Sequence, residues 1–160
     1  MKIKLLIIAL TIISAPLYSA SLRVSPSMVT FHNVQNGKKY DVYKDTGVRF
    51  TIYNDDSISK TWNLAIYSPA ERGHTNKQYK NIKNTNWCWL DKYNVTVNPD
   101  SFEHINLFFQ IPDHKSYYNK KWMAVIGIDG QTDNAGISLS ADLLVFIETF
   151  SNISKGGLND

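Results

Sequence analysis

The side chains able to do chemistry in this sequence are few and scattered. Histidines stand at 32, 74, 104 and 114, in or beside expected loops or on solvent-facing strand positions. No pair of them has the close spacing of a His-x-Glu-His or His-x-x-x-His ligand set, so His32, His74, His104 and His114 read as solvated surface residues. Asp129 and Asp133 flank Gly130, but that loop supplies too few carboxylates for a calcium site of the EF-hand kind. No metal and no cofactor is expected. Serines, histidines and aspartates are present, yet without a nucleophile elbow no triad has a warrant, and the chain is expected not to be an enzyme.

Cys88 is the single cysteine, so an internal disulfide is excluded and the fold must be held by packing. Between Trp87 and Trp89 it reads as an inert small hydrophobe on a half-buried strand, with an intermolecular disulfide or a reactive thiol as the alternative. Nine Tyr and four Trp are enough to supply a stacking surface, because ring faces pack on sugars and polar tips add hydrogen bonds. Tyr79, Trp87, Trp89, Tyr93, Tyr117 and Tyr118, in or next to loops, are the candidate binding residues. Trp62 and Trp122 are expected to fill the core, and Trp87 or Trp89 to point inward with Cys88 outward.

The elements that would position these residues follow from the hydropathy pattern. Residues 1–20 have Lys2 and Lys4, the apolar run Leu5 to Ile13, and small residues at Ser19 and Ala20, the layout of a secretory signal peptide with its helix. The run ends at Ser14, well short of the about 20 apolar residues that a spanning helix needs. No stable membrane span is expected after cleavage. Without Lys2 and Lys4 the 17 basic residues become 15 against 14 acidic, a near-neutral balance with no footprint for nucleic acid.

Beyond the leader the period is two. Leu22 to Val34 is an extended segment broken by Pro26, and Asn36-Gly37 is a turn signal. Lys38 to Thr46 is a short strand or a connection. Val48, Phe50 and Ile52 alternate with polar residues up to Asn54, as do Trp62, Leu64 and Ile66, and the two runs predict an antiparallel hairpin. Ala70 to Asn86 is polar and without period, a long loop of the sort that often carries function. Strands are expected at Trp87 to Leu90, around Val95 and Val97, from Ile105 to Ile111, from Trp122 to Ile128 and from Ile137 to Ile147. Seven or eight strands without a helical period predict an all-β, immunoglobulin-like antiparallel β-sandwich over residues 21–150, followed by a polar tail at 151–160.

The runs VSPSMVTF, FTIYNDD, YNVTVNPDSFEHINLFFQIP and YYNKKWMAVIGI resemble bacterial extracytoplasmic immunoglobulin-like domains. Two relatives bear on the reading. Periplasmic pilus chaperones are similar, with Arg23 in the place of their first-strand arginine and Ile137 to Ile147 in the place of the strand they lend to a subunit. Those chaperones carry two such domains, and this chain has the length of one. Surface proteins of Gram-positive bacteria are the other, although they usually add a C-terminal membrane helix. The resemblance implies an exported module, periplasmic, cell-surface or secreted, for protein–protein contact or assembly at the cell envelope. Its partner would be another envelope or secreted protein, met through an edge strand or the 70–86 loop. A carbohydrate-binding module using the loop aromatics is the alternative.

Overall fold

Alternation along each strand sorts side chains to two faces, and here one face of nearly every strand is buried in a common core. A computed structural model describes residues 22–131 and 138–150. The leader, the tail, Asp133 and Ile137 lie outside the described residues. The first extended segment divides at Pro26, whose missing N–H cannot continue a ladder. β1 (Leu22–Ser25) pairs with β4 (Phe50–Asn54), whereas β2 (Met28–Val34) joins the other layer. Asn36 and Gly37 then turn the chain, Gly37 at a φ of 79° that glycine adopts without a Cβ penalty.

The expected strand or connection at Lys38 to Thr46 is both. β3 (Tyr40–Asp41) runs straight into the one-turn helix α1 (Val42–Thr46), where Asp41 caps the helix by accepting from the Lys44 N–H at 3.1 Å. That helix has no counterpart in the sequence reading, since one turn is too short for a helical period to show.

β5 (Lys60–Tyr67) follows, then β6 (Lys80–Asn81), β7 (Cys88–Leu90), β8 (Asn94–Val97), β9 (Ser101–Ile105), β10 (Leu107–Phe109), β11 (Lys121–Gly130) and β12 (Ser140–Thr149). The larger layer has the order β2-β12-β11-β5-β8, with β6 parallel beside the start of β11. The smaller layer is made of β1-β4-β9 and β3-β10-β7, with β9 and β10 on one line broken at Asn106. Between the layers lie Phe50, Ile52, Trp62, Leu107, Phe109, Ile126, Leu143 and Ile147, all buried. The architecture is the all-β immunoglobulin-like sandwich that the alternation predicts.

Three expectations are overturned. The hairpin expected from the Val48–Asn54 and Trp62–Ile66 runs does not form: β4 pairs with β1 and β9 in the smaller layer and β5 with β11 and β8 in the larger, so the chain crosses between layers at the turn that follows Asn54. β12 is no edge strand: β11 pairs along one side, and β2 lies parallel along the other from Leu144 to Thr149. Seven consecutive residues of β11, Trp122 to Ile128, are buried, so its outer face is covered as well. A second small core of Met123, Val125 and Phe146 sits on that face beneath Tyr67, Tyr79 and Leu144.

Candidate functional site

The larger layer ends in β2, and among the described residues no strand pairs with its free side. The Ser27 carbonyl accepts from the Leu144 N–H at 2.9 Å, which fixes the direction of the ladder. The N–H and C=O of one strand residue point to the same side and alternate along the chain. Residues 27, 29 and 31 therefore face β12, and the backbone groups of Met28, Thr30 and His32 face outward. β2 is also the longest edge, seven residues against four in β1 and β8 and three in β7. Edges are ordinarily blunted by shortness, charge or capping. β1 carries Arg23, bonded twice to Asp55 at 3.0 Å, and in β7 the Leu90 N–H is taken by the Tyr93 hydroxyl at 3.3 Å. β2 has no Lys, Arg, Asp or Glu and no proline within it.

Beside this edge the two layers part. A groove of about 320 Å³ runs between β2 and the β3–α1 corner, with Phe31, Val34, Tyr40 and Phe109 below and Lys38, His32 and Asp45 on its rim. The Phe109 ring lies 5.1 Å from Phe31 and 4.9 Å from Tyr40, stacked on the latter. A strand added to β2 would direct every second side chain toward these rings. The exposed Met28, on the opposite face of β2, would meet the residues in between.

The 70–86 segment is not a plain loop. A 3-10 turn at Pro69–Arg72, capped by Glu71 accepting from the Ser68 N–H at 2.7 Å, lifts the chain over the outer face of the larger layer. Arg72 is held by Asp142 at 2.7 Å and Asp129 at 3.0 Å, and His74 Nε2 lies 2.7 Å from Asp142. Burial works against the Asp142 carboxylate, but the bonds from Arg72 and His74 outweigh it and hold the group below the usual range. Asp129, considered as a calcium ligand, thus already has a guanidinium as its cation. At the far end the Tyr79 hydroxyl donates to Glu148 at 2.6 Å, Lys121 donates to the same carboxylate oxygen at 2.7 Å, and His32 Nδ1 lies 2.8 Å from the other. Burial and this carboxylate push the Tyr79 phenol up to about 12. The chain then returns through β6, with the Ile82 N–H bonded to the Met123 carbonyl.

The histidines are consequently not merely solvated. Besides His74 and His32, His104 Nδ1 shares a hydrogen bond with Thr51 at 3.0 Å, and His114 Nδ1 lies 2.7 Å from Ser116 Oγ. The partners of His32, His74 and His104 are distant in sequence, which is why spacing alone did not reveal those bonds, whereas His114 bonds a serine two residues on. Among the described residues no group of three His, Cys, Asp or Glu could hold a metal.

The candidate aromatics are dispersed. Trp87 and Tyr117 pack together at 4.9 Å, with Trp122 5.8 Å from Trp87, against the inner core. Trp89 stacks on Phe108 at 5.9 Å on the outside of the smaller layer. Tyr79 packs on Phe146 outside the larger layer, Tyr118 donates to Asp113, and Tyr93 is exposed beside β7. They form no single row, which removes the geometric support for a flat sugar-stacking platform. Cys88, expected outward, points into the core at 3% exposure, since residues 88 and 90 share the inner face. Burial pushes its thiol up to about 12.

No protein-family model matches the chain, and no curated protein matches it by sequence. Its fold is found among solved structures. The ASH/PapD-like domain of human CEP192 (PapD-like domain 7) aligns over 94% of this chain and 97% of that domain, with a TM-score of 0.60 and 10% identity. The periplasmic chaperone SfaE aligns over 81% of this chain (TM-score 0.53, 6% identity), and the class 5 fimbriae chaperone CfaA over 82% (TM-score 0.52, 9% identity). This chain spans 58% and 57% of those two chaperones. The fold is therefore that of a PapD-like immunoglobulin-like domain, in line with the distant resemblance to pilus-chaperone domains read from the sequence. Among the described residues no helix is long and apolar enough to cross a membrane.

Proposed function

We propose that this chain is an exported, non-enzymatic immunoglobulin-like module that captures a partner protein by accepting an extended segment at β2. The observation that carries the reading is the ungated edge at Met28, Thr30 and His32, lying beside an apolar groove. Main-chain hydrogen bonds to a free edge supply affinity without regard to sequence, and alternate side-chain pockets supply selectivity. Export rests on the charged, apolar and small-residue zones of positions 1–20. A periplasmic or other extracytoplasmic setting also agrees with the fold's occurrence in a periplasmic chaperone and a fimbriae chaperone. The partner is another envelope or secreted protein.

The alternation of β2 supplies a discriminating test. Thr30 directs its N–H away from β12, so Thr30→Pro removes a donor needed by an incoming strand and none used by the fold. Phe31→Pro removes a donor facing β12. In affinity capture from an envelope extract, Thr30→Pro is expected to stay folded by circular dichroism and lose the proteins retained by the wild type, while Phe31→Pro unfolds. Undiminished capture by folded Thr30→Pro would rule out β2 as the capturing edge.

A further inference from the structure

The open edge of β2 is short and bounded at both ends. Pro26 supplies no N–H before Met28. After Phe31 the ladder slips: Phe31 lies opposite Ile147 but Val34 opposite Thr149, so two residues of β2 face one of β12. That bulge brings Asn33 to a φ of 54° and ends the regular edge at His32. What remains is the five-residue stretch Met28 to His32, with the backbone groups of Met28, Thr30 and His32 facing outward. Residues so placed exchange both hydrogen bonds with the residue opposite when the pairing is antiparallel, which is also the more stable pairing. An incoming segment therefore runs antiparallel to β2.

The side chains along this stretch set what such a segment must carry. On the outer face, strand register aligns Tyr67, Val125, Leu144 and Met28 in one row across four strands. The row is apolar and stops at the free edge, where Met28 is 58% exposed. The next row, Met123, Phe146 and Thr30, ends on a hydroxyl side chain. The one after it is polar, with Glu148 bonded to both Lys121 and His32. On the inner face Val29 is half-buried against the core, while the Phe31 end opens onto the Tyr40 and Phe109 rings of the groove. The groove's charges offset each other. Lys38 lies 4.6 Å from the Tyr40 ring, and Asp45 accepts from the Asp41 N–H at 2.9 Å. With one of each sign on the rim, the groove favours neither an acidic nor a basic occupant.

We infer that the partner segment, on the reading that β2 captures a strand, is uncharged and has an aromatic residue opposite Phe31 and a large aliphatic residue opposite Met28. In its own order it places a small polar residue opposite His32, the aromatic one next, a hydroxyl or β-branched residue opposite Thr30, a small aliphatic one opposite Val29, and the large aliphatic one last. The aromatic ring enters the groove and packs on Tyr40 and Phe109. The aliphatic side chain extends the row from Tyr67 to Met28 by one more strand. A charge at either position would lose water and gain no partner.

The test titrates the isotope-labelled protein with a capped peptide whose central residues are Ser-Phe-Thr-Val-Leu and reads amide chemical shifts. Shifts are expected at Met28, Thr30 and His32, whose N–H groups the segment covers, and at Tyr40 and Phe109 beside the ring. Ala in place of the Phe, or Glu or Lys in place of the Leu, is expected to weaken binding about tenfold or more. The same residues in reverse order are expected to bind more weakly than the original. Met28→Ser, at an exposed position, is expected to leave the urea midpoint near that of the wild type. It should weaken the Leu peptide while leaving a Ser-for-Leu peptide unchanged, the mark of a direct pair. Equal binding by the Ala, Glu, Lys or reversed peptides, with shifts still at Met28, Thr30 and His32, would overturn this pattern and leave strand capture standing. No shift at those three amides with any peptide would overturn both.

Discussion

Glu148 sits in an environment far from that of a free side chain. Lys121 and Tyr79 donate to it and His32 adjoins it, and together they lower its carboxyl from the usual 4.5 to about 2. The unfolded chain takes up this proton near 4.5 and the folded chain only near 2, so the folded state is the poorer proton binder between those values. Its stabilisation is complete above about pH 4.5 and is lost as pH falls toward 2. Urea midpoints measured from pH 2.5 to 6 are expected to rise across that window in the wild type, with a smaller rise in Glu148→Gln. An unchanged slope in the variant would mean that this carboxylate does not carry the effect. None of these partners was legible in the sequence, because they come from three segments distant from Glu148 and from one another. Asn54 teaches the same lesson: in sequence it opens a polar turn, whereas in the fold it is fully buried and donates to the carbonyls of Ile58 and Val97. Turn composition reports where a chain reverses but not which amide is drawn inside to hold two turns together.

At the scale of elements, the strands that alternate with one buried face were legible, because burial imposes the period directly. β4, β5, β10 and β11 fall where alternation places them. The extent of burial on β11 was not read, although the sequence contains its signal: Trp122 to Ile128 is an unbroken run of apolar residues and glycine, the mark of a strand covered on both faces. What covers it is the 68–82 segment together with the Tyr67 ring at the end of β5, and Tyr67 and Arg72 both come close at Gly127. A Cβ at Gly127 would lie 2.5 Å from the Tyr67 ring and 3.2 Å from the Arg72 guanidinium. Gly127→Ala is therefore expected to cost roughly 1–3 kcal/mol by overpacking, with faster hydrogen exchange at the Ile82 amide as the segment lifts. Wild-type exchange at Ile82 in the variant would show that the segment is held without this close approach. The position of β12 was illegible for a different reason. Strand order depends on contacts between distant parts of the chain, and nothing local distinguishes an edge from a strand whose far side is closed by β2 more than a hundred residues away.

For the whole molecule, the smaller layer closes its edges with short strands, Arg23 and the Tyr93 hydroxyl, while the larger layer leaves β2 open beside the groove. The β8 edge of the same sheet is an internal reference, since it is equally peripheral but shorter. On the proposed function a partner enters at β2 and not elsewhere on the rim. The most direct measurement places a photoreactive amino acid at Thr30, or at Thr96 of β8, in cells that make the protein, and compares the adducts formed. A discrete protein adduct is expected from position 30, lost when Met28 and His32 are both replaced by proline, and none from position 96. Equal adducts from the two edges, or an adduct from position 96 alone, would contradict it.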